Sequence, residues 1–410
     1  MKYKDLKTVF HMSGTQEWEN EYTNRFNHYG SYRTDINIHP IQNQRQKLDV
    51  SYPVFFSITK TILESTETIL LNSNKINFLL NEQPETAKKA YITKLIINEL
   101  QSTNEKENIR STKEDIADAI YSVDVNKKNK KFLGLVKQYT SLQKVNGERF
   151  ENVKDFRTAY DKLLINEIDP EELPDGELFR TSGVGIYDRS TNRWTHRNEF
   201  NEVEINLFLK DIIQFNKYYK APQLLKIVST HFMFEYLHPF YDGNGRLGRY
   251  ILAKELSAYL DIITAFTFSY TINRNRGKYD KSFEKATNFH NKGELTLFID
   301  TMLKLIIEGQ ESAIKDFEDN KQKLSLLVEN LKNENLLDDE FIVIKKLLED
   351  KVFGSHYSRI SVKKLVEEVP FSRQKVDKIL KKHLDKLDKL KGNPVVYEIK
   401  DSFIEKLLSY

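Results

Sequence analysis

The sequence predicts a mainly α-helical fold, and three observations carry that reading. Apolar residues recur at three- and four-residue intervals through most segments between about 85 and 310. Those segments have the lengths of bundle helices rather than of strands. Only the interval 178–197 interrupts the series, with glycines, aromatic residues and a polar turn. A chain of 410 residues exceeds one ordinary core, so two or three domains are expected. Hydrophobic residues at 39% suffice to fill them, and a charged fraction of 30% fits a solvated surface rather than a disordered chain.

Residues 1–90 open on an aromatic and polar stretch, WENEYTNRFNHYGSYR, and pass into a helical pattern at FFSITKTILESTETILL. They are expected to form an N-terminal extension, largely helical in its second half. Residues 91–310 are expected to form a helical core, its segments running from ETAKKAYITKLIINELQ and KEDIADAIYSV to APQLLKIVSTHFMFEYL, RLGRYILAKELSAYL and ELTLFIDTMLKLIIEG. Within it, LFRTSGVGIYDRSTNRWTHR reads as a β-hairpin turning at DRSTN. An isolated hairpin is marginal, so it should lean on the bundle and leave an edge exposed. Residues 311–337 read as a charged helical linker. Residues 338–410 run helix, helix, turn, helix and hairpin, the order of a winged helix-turn-helix domain.

The net charge of +3 is small for this length, so any case for nucleic acid must be local. The sequence contains no cysteine, which excludes thiol nucleophiles and thiolate metal sites. MKYKDLKTVFHMSG lacks the apolar run of a signal peptide, and Tyr250–Phe268 is interrupted by Lys254, Glu255 and Asp261 and falls short of a membrane span. A cytoplasmic protein that does not engage membranes is expected.

The densest chemistry lies in HPFYDGNGRLGR, residues 238–249. A helical pattern precedes His238, and Pro239 disfavours helical geometry before it, so His238 should project from a helix end. Gly243 and Gly245 permit close backbone approach, and their consecutive N–H groups can form an anion nest. A following helix adds its positive end, while Arg246 and Arg249 share one face. The set suits a polyphosphate. Asp242 would repel phosphate unless a cation stands between, which points to Mg²⁺, and His238 can serve as a base near neutral pH.

HPFYDGNGRLGR resembles the signature of the Fic (Fic/Doc) family, HPF-x-(D/E)-GNGR-x-x-R, at every specified position. The resemblance spans about residues 90–310 and implies a helical bundle with a small β-hairpin flap. The activity it implies is transfer of AMP from ATP to a Ser, Thr or Tyr hydroxyl of a target protein. By the same resemblance His238 is the base, Asp242 the Mg²⁺ ligand, Asn244, Arg246 and Arg249 the phosphate contacts, and Phe240 the loop's anchor. GELFRTSGVGI is similar to the family's flap, so Arg180, Val184 and Ile186 are expected to align the target by strand addition. FSYTINRNRGKYDKSF is similar to the segment that shapes the nucleotide pocket.

Many family members are restrained by a helix carrying Ser or Thr, three residues, Glu, then Gly or Asn, whose glutamate pairs with the second motif arginine. The pattern occurs three times, at Thr15–Asn20, Thr103–Asn108 and Ser325–Asn330, and spacing does not choose among them. The context QSTNEKENIRSTKEDI resembles the inhibitory helix that precedes the core in some members, which favours Thr103, Glu107 and Asn108 over Glu19 or Glu329. A self-inhibited adenylyltransferase follows, acting on a partner and on itself, with a homodimer as a further option. An enzyme that removes AMP, or a DNA-binding regulator with a nucleotide-sensing core, are the other readings.

Residues 341–400 hold 15 Lys and Arg against 8 Asp and Glu, an excess of 7. The helix expected over 373–387 carries Arg373, Gln374, Lys375, Lys378 and Lys382, residue types that contact phosphates and base edges of duplex DNA. A lysine-rich face on a protein-interaction module is the other reading of the same residues.

Overall fold

The computed structural model describes residues 3–124, 131–144, 150–188 and 192–409. Helices dominate, joined by four two-stranded antiparallel pairs among the described residues. Asp5 caps α1 (Leu6–Asn27) by accepting the Thr8 N–H at 2.7 Å, and Gly14 breaks the helix at φ +82°. β1 (Ser31–Ile38) then pairs with β4 (Tyr52–Ser57), with the short ribbon of β2 (Ile41–Gln42) and β3 (Arg45–Gln46) between them in sequence. The extension thus begins as helix and continues as strand, and Phe55–Ser57, expected to open a helix, end β4, with the next helix starting only at Lys60. In SYRTDINI, Thr34, Ile36 and Ile38 are buried while Arg33, Asp35 and Asn37 are exposed, the alternation of a half-buried strand.

Charge and aromatic contacts dock this extension on the bundle. Arg25 donates to Glu294 at 2.9 Å. Lys292 sits over the rings of Trp18 and Tyr22, 4.0 and 4.5 Å from their centroids, with Glu19 as its ion-pair partner.

The bundle begins with α2 (Lys60–Asn81), α3 (Glu85–Lys106), α4 (Lys113–Asp124), α5 (Leu133–Ser141) and α6 (Val153–Leu163). The hairpin of β5 (Val184–Asp188) and β6 (Arg193–Asn198) follows; residues 189–191 of its turn lie outside the described residues. α7 (Glu202–Tyr218), α8 (Gln223–Leu237), α9 (Asn244–Tyr259), α10 (Ile262–Arg274), α11 (Arg276–Thr287) and α12 (Thr296–Leu331) complete it. α8 is the central helix: every residue from Leu224 to Phe234 is buried, which explains an apolar pattern on all its faces.

α12 corrects the reading of 311–337 as a linker. Core segment and linker form one 36-residue helix, about 54 Å long, with Ala313, Ile314, Phe317, Leu324 and Leu327 buried. The apolar stripe continues through charged neighbours because only one face is solvated.

The C-terminal region follows as α13 (Asp338–Phe353), α14 (Val362–Glu367), α15 (Arg373–Lys382), the pair β7 (Leu387–Gly392) and β8 (Val395–Ile399), and α16 (Asp401–Leu408). It rests on α3 and α4. The Tyr91 ring of α3 lies 4.1 Å from that of Phe317 and 6.2 Å from that of Phe353; the Tyr121 hydroxyl of α4 donates to the Arg359 carbonyl at 2.7 Å, and Lys391 pairs with Asp118 at 2.6 Å. Among the described residues no helix is long and apolar enough to cross a membrane.

Tyr91 joins three helices at one buried point. Tyr91→Ala is therefore expected to destabilise the protein by about 3–5 kcal/mol, read from urea unfolding.

Candidate active site

The site grows from the end of α8. His238 adopts φ +52°, a left-handed turn that stops the helix, and its N–H still donates to the Phe234 carbonyl at 3.0 Å. Its ring Nδ1 lies 3.1 Å from the Glu235 carbonyl oxygen. A carbonyl only accepts, so Nδ1 carries the proton and Nε2 is left with a free lone pair. Burial pushes the imidazole down to about 4, against smaller upward contributions from the Glu235 carbonyl and the Glu107 carboxylate. His238 is therefore neutral at physiological pH.

Arg180 holds this turn. Its guanidinium is fully buried and donates to the carbonyls of His238 (2.7 Å), Leu237 (3.1 Å), Ser182 (2.6 Å) and Phe200 (2.5 Å) and to Asn198 Oδ1 (3.1 Å). Five accepting oxygens consume its donors, which corrects the expectation that Arg180 docks a target. It positions the histidine.

The loop beyond is locked by Phe240 and Asn244. Phe240 stacks on Tyr160 at 3.8 Å and meets Phe179 edge-on at 5.4 Å. Asn244 accepts from the Phe240 N–H at 2.9 Å and donates to its carbonyl at 2.8 Å. Its side chain closes the loop with one of its two amide N–H bonds, and the backbone N–H groups at the start of α9 face the same side as an anion would. Gly243 sits at φ +83°, and a Cβ there would stand 2.3 Å from Leu164 Cδ1.

Both motif arginines point into the fold. Arg246 reaches Glu167 and Asp242, each at 3.3 Å, and its Nε is buried without a hydrogen-bond partner. Burial raises Glu167 to about 7, with Arg246 opposing. Arg249 donates through Nε to Thr103 Oγ1 at 2.8 Å, and through Nη2 to the Thr103 carbonyl at 3.1 Å and Glu107 Oε1 at 2.7 Å. Burial pushes Glu107 up, but the Arg249 guanidinium outweighs it and the carboxyl lies below its ordinary range.

The middle copy of the repeated pattern is thus the one at the motif. Glu107 is the C-cap of α3, and Asn108 takes the left-handed turn after it at φ +59°. A Cβ on residue 245 would stand 2.3 Å from Glu107 Oε1, so Gly245 is what lets the carboxylate lie over the start of α9. Glu19 is instead bound to Lys292, and Ser325–Asn330 lies within α12, where Asn330 donates to the Leu407 carbonyl.

The hairpin stands beside His238. The His196 ring of β6 lies 5.3 Å from that of His238, and burial holds it well below its ordinary pKa. Gln44 and Gln46 side chains accept from the Trp194 and Glu199 N–H groups along the outer edge of β6. β5, with Val184 opposite Asn198 and Ile186 opposite His196, forms the other edge of the two-stranded sheet, and Ile186 is exposed.

Sequence reasoning missed several groups. Glu105 accepts from Asn273 at 2.7 Å, and its carbonyl from Arg276 at 2.8 Å, tying the α10–α11 junction to the turn that carries Glu107. Glu235 is raised by burial to about 8, and its Oε1 is buried without a hydrogen-bond partner. No motif or spacing flagged either. A cavity of about 360 Å³, lined by Tyr91, Phe266, Thr271 and Arg274 among others, opens along the middle of α3 and includes no motif residue.

Residues 152–256 match the model of the Fic/DOC family. The chain carries a Fic/DOC family domain. Among solved structures it is similar to a Fic family protein from Desulfovibrio desulfuricans, at 16% identity and TM-score 0.49, covering 84% of this chain and 97% of that one. Similar too are Fic-1 from C. elegans (15% identity, TM-score 0.42, 63% of this chain and 74% of that one) and a Fic domain containing signaling protein from Bacteroides thetaiotaomicron (14%, 0.44, 62% and 97%). No curated protein matches the chain significantly.

The neutral state of His238 has a measurable sign. Its folded pKa of about 4 lies below the ordinary 6.5, so the unfolded chain takes up the proton first as pH falls. Relative to His238→Gln, the parent should lose stability from pH 6.5 down to about 4 and differ little in slope above 7. Urea unfolding of both proteins at pH 5 and 7.5 measures this, and the imidazole resonances of His238 should titrate near pH 4.

Proposed function

We propose that the chain is a self-restrained protein adenylyltransferase, moving AMP from Mg-ATP to a hydroxyl side chain of a target protein and of itself. The contact of Glu107 with Arg249 over the start of α9, beside a neutral His238, carries the reading. In this reading His238 Nε2 takes the proton of the target hydroxyl, whose oxygen bonds to the α-phosphorus. The bond from that phosphorus to the bridging oxygen breaks, and pyrophosphate leaves with the electron pair. Arg246, Arg249 and the N–H groups around Gly243, Asn244 and Gly245 would hold the polyphosphate.

Asp242 would hold Mg²⁺. Its carboxylate is half-exposed at the motif, and one carboxylate beside phosphate oxygens is a common Mg²⁺ set. Among the described residues no cluster of three or more His, Asp or Glu could hold a metal by protein ligands alone, which suits an ion that arrives with nucleotide. Bound there, Mg²⁺ would neutralise phosphate charge. The open β5 edge at Val184 and Ile186 would align the target backbone.

Restraint follows from charge. A carboxylate on Arg249 occupies the cation that a terminal phosphate needs, and the motif cannot satisfy both anions at once. Glu107→Gly is expected to raise self-labelling or target labelling from ATP labelled at the α-phosphate by about tenfold or more, a relief of at least about 1.4 kcal/mol. Adding His238→Ala should then cost about 10²–10⁴-fold while ATP binding persists. Unchanged labelling in Glu107→Gly, or equal loss of binding and transfer in His238→Ala, would overturn these roles. Release of AMP from a labelled target by the parent, lost in Glu107→Gly, would favour AMP removal.

For the C-terminal region we propose a winged-helix module that meets duplex DNA through α15. On α15 Lys375 pairs with Asp339, Lys382 with Glu340 and Arg373 with Asp377. Gln374 and Lys378 are exposed on the same helix. With several cations already paired, the salt dependence of DNA binding by the full chain should be shallow, a log-log slope of about −1 to −3, and Lys378→Ala should reduce it by about 1. No binding at low salt would leave a protein-interaction module.

A further inference from the structure

Two carboxyls rest on the first turns of α9, each against a residue without a Cβ. Glu107 lies over Gly245, and a Cβ at Gly248 would collide with Glu235 Oε1. Residues 245, 248 and 249 share one face of the helix, so both acids stand at the same guanidinium. Arg249 gives Nε and Nη2 to Thr103 and Glu107, which leaves Nη1 for a second acceptor.

The two acids cannot both be anions there. One buried guanidinium compensates one carboxylate, and Glu107 already holds that place. Glu235 accordingly keeps its proton at pH 7: burial pushes its carboxyl up to about 8, Arg249 opposes, and Glu107 adds to the rise. The other groups around it are committed. Lys106 pairs with Asp280 at 2.9 Å, the Tyr279 hydroxyl lies 2.8 Å from His231 Nε2, and burial keeps His231 and His238 neutral. Glu99, another buried acid near Arg249, has both oxygens bonded to Ser269. Glu235 Oε1 has no hydrogen-bond partner among the described residues, and Glu235 keeps enough exposure for a proton to leave.

We propose that Glu235 is the reserve counter-ion of Arg249, a positioning residue that holds the guanidinium whenever Glu107 does not. While Glu107 is in place, Glu235 stays protonated. When Glu107 withdraws, the proton passes to water and the Glu235 carboxylate takes the cation. When a polyphosphate arrives, one proton returns and the cation is released to it. Withdrawal of Glu107 thus does not by itself leave Arg249 free. The exchange between the two carboxyls stands on their placement alone, and the step with polyphosphate rests on the transferase reading.

NMR of the glutamate carboxyl carbons in the full chain tests the exchange. The resonance lost in Glu235→Gln should titrate near pH 8 in the parent, and Glu107→Gly should make it at least about tenfold more acidic. Glutamine copies the neutral acid in shape, so an unchanged circular dichroism melt of Glu235→Gln shows that the chain still folds. Titration in the ordinary carboxyl range in the parent, or no change in Glu107→Gly, would overturn the proposal. Calorimetry with an ATP analogue carrying a methylene bridge between its α- and β-phosphorus atoms tests the second step. Between about pH 6.5 and 8.5, its Kd for Glu107→Gly should rise about fivefold or more relative to its Kd for Glu107→Gly combined with Glu235→Gln. The same pH dependence in both variants would assign the proton to another acid, such as Glu99, and overturn the proposal. No binding by any variant would sink the transferase reading instead, with the NMR titration still deciding the role of Glu235.

Discussion

Glu107 meets Arg249 only because a helix end, a glycine and a buried cation coincide. α3 must stop at residue 106 so that its C-cap projects toward the motif, and Asn108 supplies the left-handed turn that takes the chain away. Residue 245 must lack a Cβ, since the carboxylate occupies that space. Arg249 is buried and must have a partner, because an unpaired guanidinium there would be costly. Thr103 answers part of that need with two acceptors, and Glu107 supplies the negative charge. The arrangement is stable as it stands, and an incoming anion must replace the charge it displaces.

The position of that carboxylate is fixed from the far end of its helix. Tyr91 lies sixteen residues before Glu107 on α3, clasped between α12 and α13, and Lys89 pairs with Glu368 one turn away. A packed helix transmits axial position with little slack, since sliding it by even part of a turn would empty a filled core site. The C-terminal region also grips α4, through Tyr121 and Lys391. Both helices flanking Glu107 are thus held by the same body, and the short turn between them has little freedom.

Much of the site was legible in the sequence because its chemistry is compressed into twelve residues, with a proline and glycines that dictate local backbone. The helical bundle was legible for a similar reason, since its amphipathic periods are long. What escaped notice depends on distance in the chain. Nothing in the sequence ties Arg180 to the carbonyls of residues 237 and 238, so a buried clamp reads there as a docking residue. The bond of Asn244 to its own loop is equally hidden, because a functional pattern does not distinguish a loop contact from a ligand contact. Three copies of a six-residue pattern could not be ranked by spacing; only packing brings one of them to Arg249. The strand at 31–38 carries a two-residue alternation too short to stand out beside longer helical periods, and the strand at 52–57, buried from Val54 to Ser57, carries none.

The same long-range clamps explain how a histidine can be buried among charges and stay neutral. On one side stands the Arg180 guanidinium, itself lowered by burial to about 10 and still cationic at neutral pH; on the other lie the carboxylates of Glu107 and Asp242. Desolvation acts on the ring more strongly than any one of these charges, which leaves the free-base form as the stable one. Removing Glu107 from this balance would leave the positive field less opposed and make the imidazole harder to protonate. Glu107 and His238 are therefore electrostatically coupled: the carboxylate that pairs with Arg249 is also a group that makes His238 more basic. Under the proposed function, a polyphosphate taking its place would return anionic charge to the same neighbourhood and restore a field that favours a proton on His238.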